Sequence, residues 1–276
     1  MNRMDIAIVG TGPAGVSAAV TAKLRNKKVA LFGSAELSAK MSKAHGIRNY
    51  TGLPDVDGAE LAAHMRAHLD SMDMAVTPEQ IVAVYPMGDY FALQGAHDIY
   101  EARSVVLASG VVMGKPWPGE KELLGRGVSY CATCDGMLYR DRPVAAVVLG
   151  AGFDEDVRFL QGICQVDVLT RPPRALRAEG ERVILSTADS DTAYDCVFIL
   201  RPAVALTTLL PALETADGAV RVDADMQTNI PGVFAAGDIT GAPYQADRAV
   251  GQGNNSALSI ARFLHQGDAI NHESTN

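Results

Sequence analysis

The chain has 276 residues, a hydrophobic content of 48% and a formal net charge of −8. Its length and composition are typical of a globular protein with one large or two modest domains, and they argue against bulk disorder. The acidic balance argues against general nucleic-acid binding, which needs clustered positive charge, and no apolar run approaches the ~20 residues of a membrane span.

The start of the chain runs directly into a strand-like segment and leaves no room for a signal peptide. Four cysteines in a chain of this length do not form a disulfide scaffold. We therefore expect a protein of the reducing cytoplasm with no membrane or nucleic-acid partner, in which a close cysteine pair serves redox or metal chemistry.

The first predicted elements form a β-turn-α-β unit. A strand, a glycine-rich turn, a helix and a second strand are predicted over residues 5–9, 10–15, 16–24 and 29–32. Gly10 permits the tight turn, Gly12 lets the backbone approach a pyrophosphate, and Gly15 lets the helix lie close to the strand. Pro13 falls near the helix start, where its missing N–H costs nothing. This context favours a dinucleotide site over a glycine-rich turn that binds nothing.

A second apolar series fills the middle of the chain. Short strands are predicted over residues 104–108, 144–149, 166–169, 183–185 and 197–200. The proline-rich stretch 114–119 is typical of a crossing between domains. Residues 232–238 predict a strand that ends in a loop, followed by a helix from about Gln245 to Leu264.

The most specific chemistry lies in Cys131-Ala-Thr-Cys134-Asp135. Two intervening residues can bring both sulfurs within bonding reach at a helix start, where one thiolate attacks a disulfide and the other resolves the intermediate. Asp135 is adjacent and suited to relay a proton. Half of a zinc site is the alternative, but Cys164 and Cys196 are isolated in strand-like contexts that are typical of a core. We predict redox chemistry and no metal.

Six segments, in chain order, have a familiar arrangement: GTGPAG (10–15), NYTGLP (49–54), VVLASG (105–110), CATCD (131–135), VLGAG (148–152) and IPGVFAAGD (230–238). With them the chain resembles the low-molecular-weight thioredoxin reductase family over nearly its whole length. The resemblance implies an α/β fold of two Rossmann-like three-layer domains. An FAD domain of residues 1–113 and 202–276 would receive, as an insertion, a shortened and degenerate NAD(P)H-type domain of residues 114–201 that holds the cysteine pair.

The resemblance also implies an FAD site and the roles of its residues. The implied cofactor-binding residues are Gly10, Gly12, Pro13, Ala14, Gly15, Asn49, Gly110, Gly237, Asp238, Gln245 and Ala246. The three glycines of the turn would meet the pyrophosphate, and Asp238 would hold the ribityl chain. Gln245 and Ala246 would present backbone N–H groups to the pyrimidine edge, and Asn49 would lie near the isoalloxazine.

The same resemblance implies the catalytic roles. Cys134 would be the flavin-facing thiol, Cys131 would attack the protein substrate, and Asp135 would be the acid/base. The implied substrate is a thioredoxin-like protein, and the implied assembly is a homodimer.

The second domain departs from the family at its nucleotide site. The family binds NADPH through GxGxxA, but here the third small residue is Glu155, flanked by Asp154 and Asp156. Three carboxylates would stabilise the helix start and repel a pyrophosphate. We therefore expect NADPH binding to be lost.

The family's basic HRRxxxR segment is also replaced. The chain has Thr170-Arg-Pro-Pro-Arg174, whose prolines break the following helix, and we expect the helix and the β-meander of residues 177–195 to be cut short. Two interpretations remain for Arg171, Arg174 and Arg177: contact with a 2′-phosphate, or a solvated basic loop.

A further departure concerns the electron donor. Residues 34–41 stand where the family has a GGQL segment. With this replacement the chain resembles the pyridine-nucleotide-independent branch of the family, the ferredoxin-dependent flavin thioredoxin reductases. Electron transfer from a plant-type ferredoxin at about −400 mV to thioredoxin at about −270 mV is downhill by about 6 kcal/mol for two electrons. Lys40, Lys43, His45 and Arg48 form a basic run that favours either an acidic ferredoxin or merely a solvated face.

The sequence therefore predicts an FAD-dependent disulfide reductase that acts on a thioredoxin-like protein through Cys131 and Cys134, with reduced ferredoxin as donor. The first alternative is an NAD(P)H-dependent thioredoxin reductase with an unusual nucleotide site, and a deazaflavin donor is a variant. The second alternative is a non-enzymatic FAD-binding redox sensor or scaffold, against which the intact CATCD segment argues.

Overall fold

The structure is a computed structural model that describes residues 3–44, 46–112, 115–150, 152–201, 204–205 and 209–273. The helices are α1 (Pro13–Leu24), α2 (Ala39–Ser42), α3 (Gly58–Ser71), α4 (Glu120–Leu123), α5 (Ala132–Asp135), α6 (Asp154–Gln161) and α7 (Ala246–Glu273). The strands are β1 (Met4–Val9), β2 (Val29–Phe32), β3 (Val76–Thr77), β4 (Ile81–Pro86), β5 (Phe91–Gly95), β6 (Ile99–Leu107), β7 (Val111–Val112), β8 (Val128–Ser129), β9 (Pro143–Val148), β10 (Gln165–Leu169), β11 (Ala175–Glu179), β12 (Arg182–Ser186), β13 (Asp191–Tyr194), β14 (Cys196–Leu200), β15 (Val204–Ala205), β16 (Thr215–Ala216), β17 (Ala219–Val220) and β18 (Val233–Ala235).

The chain divides into two compact units, and both are discontinuous in sequence. The first unit comprises Met1–Met41, Leu61–Val112 and Val204–Asn276, and the second comprises Ser42–Glu60 and Met113–Ala203. Residues 42–60 thus group with the second unit, whereas the sequence assigns them to the FAD domain. The predicted boundaries themselves fall on Met113, Gly114 and Pro202, which lie outside the described residues.

The first unit is built on a mainly parallel sheet. Strands β3, β2, β1 and β6 lie side by side in that order and run parallel, and β18 runs parallel to the second half of β6. The first half of β6 pairs antiparallel with β5, which pairs with β4. Ile6, Ala7 and Ile8 on β1 are fully buried, as expected for a strand covered on both faces of its sheet. The predicted α/β fold is confirmed.

Helix α1 lies close to α7 because both present small residues to each other. A Cβ atom on Gly253 would come within 2.1 Å of the Ala14 carbonyl oxygen. The Ser17 hydroxyl donates to the Val250 carbonyl at 2.8 Å, and the Asn254 amide donates to the Thr21 hydroxyl at 3.0 Å. These contacts hold α1 against α7. Helix α1 begins at Pro13, three residues earlier than the sequence predicts.

The second unit has a four-stranded parallel sheet in the order β10-β9-β14-β8 and an antiparallel meander of β11, β12 and β13. Residues 170–174 form no helix, as predicted from their prolines. Residues 175–194 form a meander of three paired antiparallel strands, and its shortening relative to the family stays a prediction. The two residues 180–181 form the turn between β11 and β12, with Gly180 at a φ of +62°.

Among the described residues, no helix is both long enough and apolar enough to cross a bilayer.

Candidate functional site

The turn after β1 requires glycine at two positions. Gly10 has a φ of +119°, and a Cβ atom there would come within 2.2 Å of the Ala108 carbonyl oxygen. Its N–H donates to the Phe32 carbonyl at 2.8 Å. A Cβ atom on Gly15 would come within 1.9 Å of the Gly10 carbonyl oxygen. Both glycines are therefore needed for the close approach of α1 to the sheet, as the sequence predicts.

Gly12 is different, because its position is open. It is the N-cap of α1, with a φ of −78°, and the atom nearest to an added Cβ in the described part of the chain would be Ser38 Cβ at 3.9 Å. No described side chain caps this helix, and Pro13 occupies its first turn. The orphan N–H groups and the positive end of the helix dipole therefore border open space. This cradle fits a dinucleotide pyrophosphate.

Three turns meet at the carboxyl ends of parallel strands in the first unit. The glycine turn follows β1, Gly110 with a φ of +69° follows β6, and Gly237 with a φ of +81° follows β18. A Cβ atom on Gly237 would come within 2.9 Å of Ala14 Cβ, so this turn lies directly beside the start of α1. The carboxyl edge of a parallel sheet is where dinucleotides bind in such folds.

Asp238 begins a short 3-10 turn at this edge, and its carboxylate has a cationic partner. Lys40 Nζ lies 2.7 Å from Asp238 Oδ2, and the same ammonium lies 5.0 Å from the centre of the Tyr244 ring. Burial and then the Asp238 charge raise the pKa of Tyr244 above its ordinary value, so its hydroxyl stays protonated. The sequence analysis did not identify Lys40 and Tyr244 as part of this site.

Gln245 and Ala246 lie at the start of α7, in the first unit. The Gln245 N–H donates to the Pro243 carbonyl at 3.1 Å, and its carbonyl accepts from Ala249 N–H at 3.0 Å. Gln245 thus acts as the N-terminal residue that opens α7. Its N–H already has a partner within the chain, so contact of this group with the cofactor stays a prediction.

The redox pair lies in the second unit, at the start of α5. Cys131 is the N-cap of this helix and forms a disulfide with Cys134, with Cα atoms 5.3 Å apart. The Cys134 N–H points at Cys131 Sγ at 3.2 Å, and Thr133 Oγ1 lies 3.6 Å from the same sulfur. Hydrogen-bond donors and a helix N-terminus favour a thiolate at Cys131 once the disulfide is reduced. The predicted disulfide and its place at a helix start are confirmed.

Asp135 ends α5 and is held by a residue that the sequence analysis missed. The Ser129 hydroxyl donates to Asp135 Oδ2 at 2.6 Å and accepts from the Cys131 N–H at 3.1 Å. Ser129 is 5% exposed and belongs to β8. A serine two residues before a helix N-cap is the local signal that would have indicated it.

The other two thiols lie below the redox helix. Cys196 is fully buried on β14, and burial, followed by the Asp135 charge, raises its thiol pKa well above the ordinary value. Cys164 is half-buried in the bend before β10 rather than in a strand, and its thiol contacts the Tyr139 carbonyl at 3.2 Å. Among the described residues no group of three or more His, Cys, Asp or Glu is arranged to hold a metal ion.

Asn49 is exposed and lies in the loop between Ile47 and Val56, which form an isolated antiparallel bridge. This loop groups with the second unit. Its contact with the cofactor therefore stays a prediction.

The start of α6 bears the three predicted carboxylates. Asp154, Glu155 and Asp156 occupy its first turn, and burial followed by the Glu155 charge raises the pKa of Asp156. Gly150 and Gly152 keep positive φ angles of +135° and +91°, while Ala151 lies outside the described residues. The described glycines of this turn therefore have backbone angles typical of a nucleotide site, but the three carboxylates that follow carry a charge that disfavours binding of an anionic nucleotide.

The arginines of the following segment offer little positive charge to attract a nucleotide phosphate. Arg177 is paired with Glu179 at 3.2 Å and with Asp191 at 3.4 Å. Arg171 and Arg174 are exposed. The interpretation of a solvated basic loop is favoured for this segment.

Comparison with known proteins identifies the family. The model of the pyridine nucleotide-disulphide oxidoreductases matches residues 4–153 and 165–253. The chain belongs to this family.

Its relatives include reductases of two kinds. The chain is 40% identical to a ferredoxin-flavin thioredoxin reductase from Clostridium acetobutylicum, with 98% of this chain and 100% of that chain covered and a TM-score of 0.64. It is 29% identical to the thioredoxin reductase of Treponema pallidum, over 94% of this chain and 97% of the relative. The thioredoxin reductase from Streptococcus pyogenes is 26% identical, with a TM-score of 0.86 and coverage of 96% and 99%.

Membership of this family makes the chain an FAD-binding flavoprotein, as the sequence predicts. The uncapped N-terminus of α1, with its open Gly12, fits that cofactor. The predicted thioredoxin reductase resemblance is confirmed as well.

The basic run proposed for docking is largely neutralised. Lys40 is paired with Asp238, and Arg48 Nε lies 3.1 Å from Asp55 Oδ1. Lys43 is exposed, and His45 lies outside the described residues. Lys40 groups with the first unit and the other described members with the second, so the run is not one compact patch within a unit.

Proposed function

We propose that this protein uses FAD and the Cys131–Cys134 pair to reduce the disulfide of a thioredoxin-like protein, with reduced ferredoxin as electron donor. One observation supports the proposal above all: a disulfide at the start of α5 whose first sulfur faces the Cys134 N–H at 3.2 Å, with the Asp135 carboxyl group on the same short helix. A structural disulfide needs neither a polarising N–H nor an adjacent acid.

The first unit supplies the cofactor cradle. The open N-terminus of α1 at Gly12 would receive the pyrophosphate, and Asp238 would hold the ribityl chain. Ala14, Gly110, Gln245 and Ala246 complete the proposed set in this unit. When bound, FAD supplies the electron pair that reduces the Cys131–Cys134 disulfide.

The dithiol then passes this pair to the substrate by thiol–disulfide exchange. The Cys131 thiolate attacks one sulfur of the substrate disulfide, so that a mixed disulfide forms and the second substrate sulfur leaves as a thiolate. Asp135 donates a proton to that thiolate. Cys134 then attacks Cys131 Sγ, which releases the other substrate sulfur and restores the Cys131–Cys134 disulfide. Asp135 has taken its proton from the Cys131 thiol, and the Cys134 thiol gives its proton to the second released sulfur, so two electrons and two protons have moved to the substrate.

The charge at α6 supports a donor other than NADPH. Asp154, Glu155 and Asp156 lie in the first turn of α6, where a pyrophosphate would need free N–H groups, and burial followed by the Glu155 charge raises the pKa of Asp156. Arg177 is already paired with two carboxylates. The 40% identity to a ferredoxin-flavin thioredoxin reductase also favours ferredoxin.

An NAD(P)H-dependent reductase is the second candidate. The strand-turn-helix unit of β9 and α6 keeps positive φ angles at Gly150 and Gly152, and parallel strands flank β9. These features favour a nucleotide site on backbone grounds alone.

Turnover with purified components tests the proposal. The FAD-loaded protein should form thioredoxin thiols when it is given reduced ferredoxin. Cys131→Ser and Cys134→Ser should each lose at least roughly 1,000-fold in turnover, since either thiol is essential to the exchange. Cys164→Ser, which changes a thiol outside the pair, should keep wild-type turnover. Retained activity in either pair variant would refute the assigned chemistry.

A further inference from the structure

The Ser129 hydroxyl lies at the centre of three polar contacts beneath the redox disulfide. Its oxygen lies 2.6 Å from Asp135 Oδ2, 3.1 Å from the Cys131 backbone nitrogen and 3.3 Å from the Cys131 carbonyl oxygen. We propose that Ser129 is a positioning residue. It keeps the Asp135 carboxyl group and the Cys131 backbone in fixed relative positions while Asp135 gains and loses its proton. This inference rests on the proposed thiol–disulfide exchange.

The hydroxyl can satisfy Asp135 in both of its protonation states. A serine hydroxyl offers one donor and two acceptor sites. When Asp135 is ionised, Ser129 donates to Oδ2 over the short contact of 2.6 Å. When Asp135 is protonated, its own O–H donates to Ser129, and the serine proton turns to the Cys131 carbonyl at 3.3 Å.

The third contact ties this exchange to the cysteine. In both arrangements the Cys131 N–H still donates to Ser129 Oγ at 3.1 Å. One hydroxyl therefore fixes the backbone of the attacking cysteine and the oxygen of the proton donor at the same time. Its proton moves by rotation about one bond, so no heavy atom has to shift.

The backbone of Ser129 is anchored by the sheet. Ser129 pairs with Phe198 where β8 runs parallel to β14, and Phe198 is fully buried. Ser129 itself is 5% exposed, so it lies below the surface that a protein substrate reaches. A change there should alter the proton transfer and leave substrate binding intact.

Two titratable groups of the described neighbouring elements interact electrostatically with Asp135. They are the Tyr139 hydroxyl in the 3-10 turn after α5 and the Cys196 thiol on β14. Burial raises the pKa of both groups, so both stay neutral at ordinary pH. Arg142 adds a positive charge near Tyr139. On α6, the residues next to Gly136 are the apolar Phe159 and Leu160.

Three variants test the role of Ser129. Ser129→Ala removes the hydroxyl, and Ser129→Thr keeps it on a side chain that suits a strand. Ser104→Ala is the matched control, because Ser104 is also buried and donates to a carbonyl, that of Asp5 at 2.8 Å, in the first unit. Thermal unfolding and FAD content establish that each variant is folded.

In turnover, Ser129→Ala should lower kcat on the order of 10-fold, with KM for thioredoxin within about twofold. The alkaline limb of its pH profile should move to higher pH, because the ionised carboxylate has lost a donor. Ser129→Thr and Ser104→Ala should behave as wild type. Wild-type kcat and pH profile in Ser129→Ala would overturn the inference.

A second readout needs no turnover and separates this inference from the proposed function. The dithiol form is prepared with a phosphine reductant, and the rate of Cys131 alkylation by iodoacetamide is followed by mass spectrometry across pH. Asp135→Asn identifies the inflection due to Asp135 by abolishing it. Ser129→Ala should move that inflection to higher pH even if thioredoxin is not a substrate. A profile identical to that of the wild type would overturn the role of Ser129.

Discussion

Lys40 and Asp238 form an ion pair with 2.7 Å between Nζ and Oδ2, although 198 residues separate them in the chain. The lysine side chain is 42% exposed and the aspartate side chain 19% exposed. A pair of this kind contributes little to stability. Its effect is to neutralise a carboxylate at the edge of the sheet where the diphosphate of FAD would bind.

Lys40→Met should weaken FAD binding by about fivefold at low ionic strength, because it leaves the Asp238 charge uncompensated near an anionic cofactor. Added salt should reduce the difference, since it screens exposed charges. The measurement is the dissociation constant of FAD from the apoprotein. Lys43→Met removes the same charge from an exposed neighbour and should have no effect. Unchanged or tighter binding in Lys40→Met would contradict this role.

Gly12→Ala tests the cofactor cradle without disturbing the fold. Its φ of −78° suits alanine, and the nearest described atom would be Ser38 Cβ at 3.9 Å, so we expect stability within about 1 kcal/mol of wild type. The added methyl group would occupy the approach to the N–H groups of α1, and FAD affinity should fall at least roughly 10-fold.

The matched control is Gly251→Ala, an exposed helical glycine of α7 with no described atom within 4 Å of the added carbon. It should keep FAD affinity and gain slightly in stability. Equal FAD affinity in Gly12→Ala and wild type would place the pyrophosphate elsewhere.

The sequence predicts those features that depend on local backbone constraints. Gly10 and Gly15 are needed wherever a strand turns tightly into a helix, and a CxxC pair suits a helix start. The Lys40–Asp238 pair could not be predicted, because it depends on how distant segments pack. Ser129 had a local signal, but its partner Asp135 becomes apparent only when β8 and α5 are in place.

Thiol counting tests the state of the four cysteines. The oxidised protein, unfolded in guanidinium without reductant, should show two thiols, Cys164 and Cys196, because the other two form the disulfide. Prior reduction should raise the count to four. In the folded oxidised protein, Cys196 should resist alkylation at pH 8, since burial raises its thiol pKa and removes it from solvent. Four thiols in the unreduced sample would contradict the disulfide.

The buried Cys196 thiol also predicts a loss of stability in alkali. Its folded-state pKa is raised, whereas the unfolded thiol ionises from about pH 8.5. The unfolded state therefore releases its proton first, and the unfolding free energy should fall above that pH by up to about 1.4 kcal/mol per pH unit. Urea midpoints at pH 8 and pH 9.5 measure this slope. Cys196→Val should show a shallower slope, and a slope equal to that of the wild type would show that other groups cause it.

The measurement that tests the account most directly is an anaerobic titration of the FAD-loaded protein with two donors, followed by flavin absorbance and by thioredoxin thiols. Because Asp154, Glu155 and Asp156 crowd the start of α6, millimolar NADPH should leave the flavin oxidised. Reduced ferredoxin should bleach the flavin and yield two thiols per thioredoxin. Fast, saturable bleaching by NADPH, with thioredoxin reduction to match, would contradict the account and establish the NAD(P)H-dependent reductase in its place.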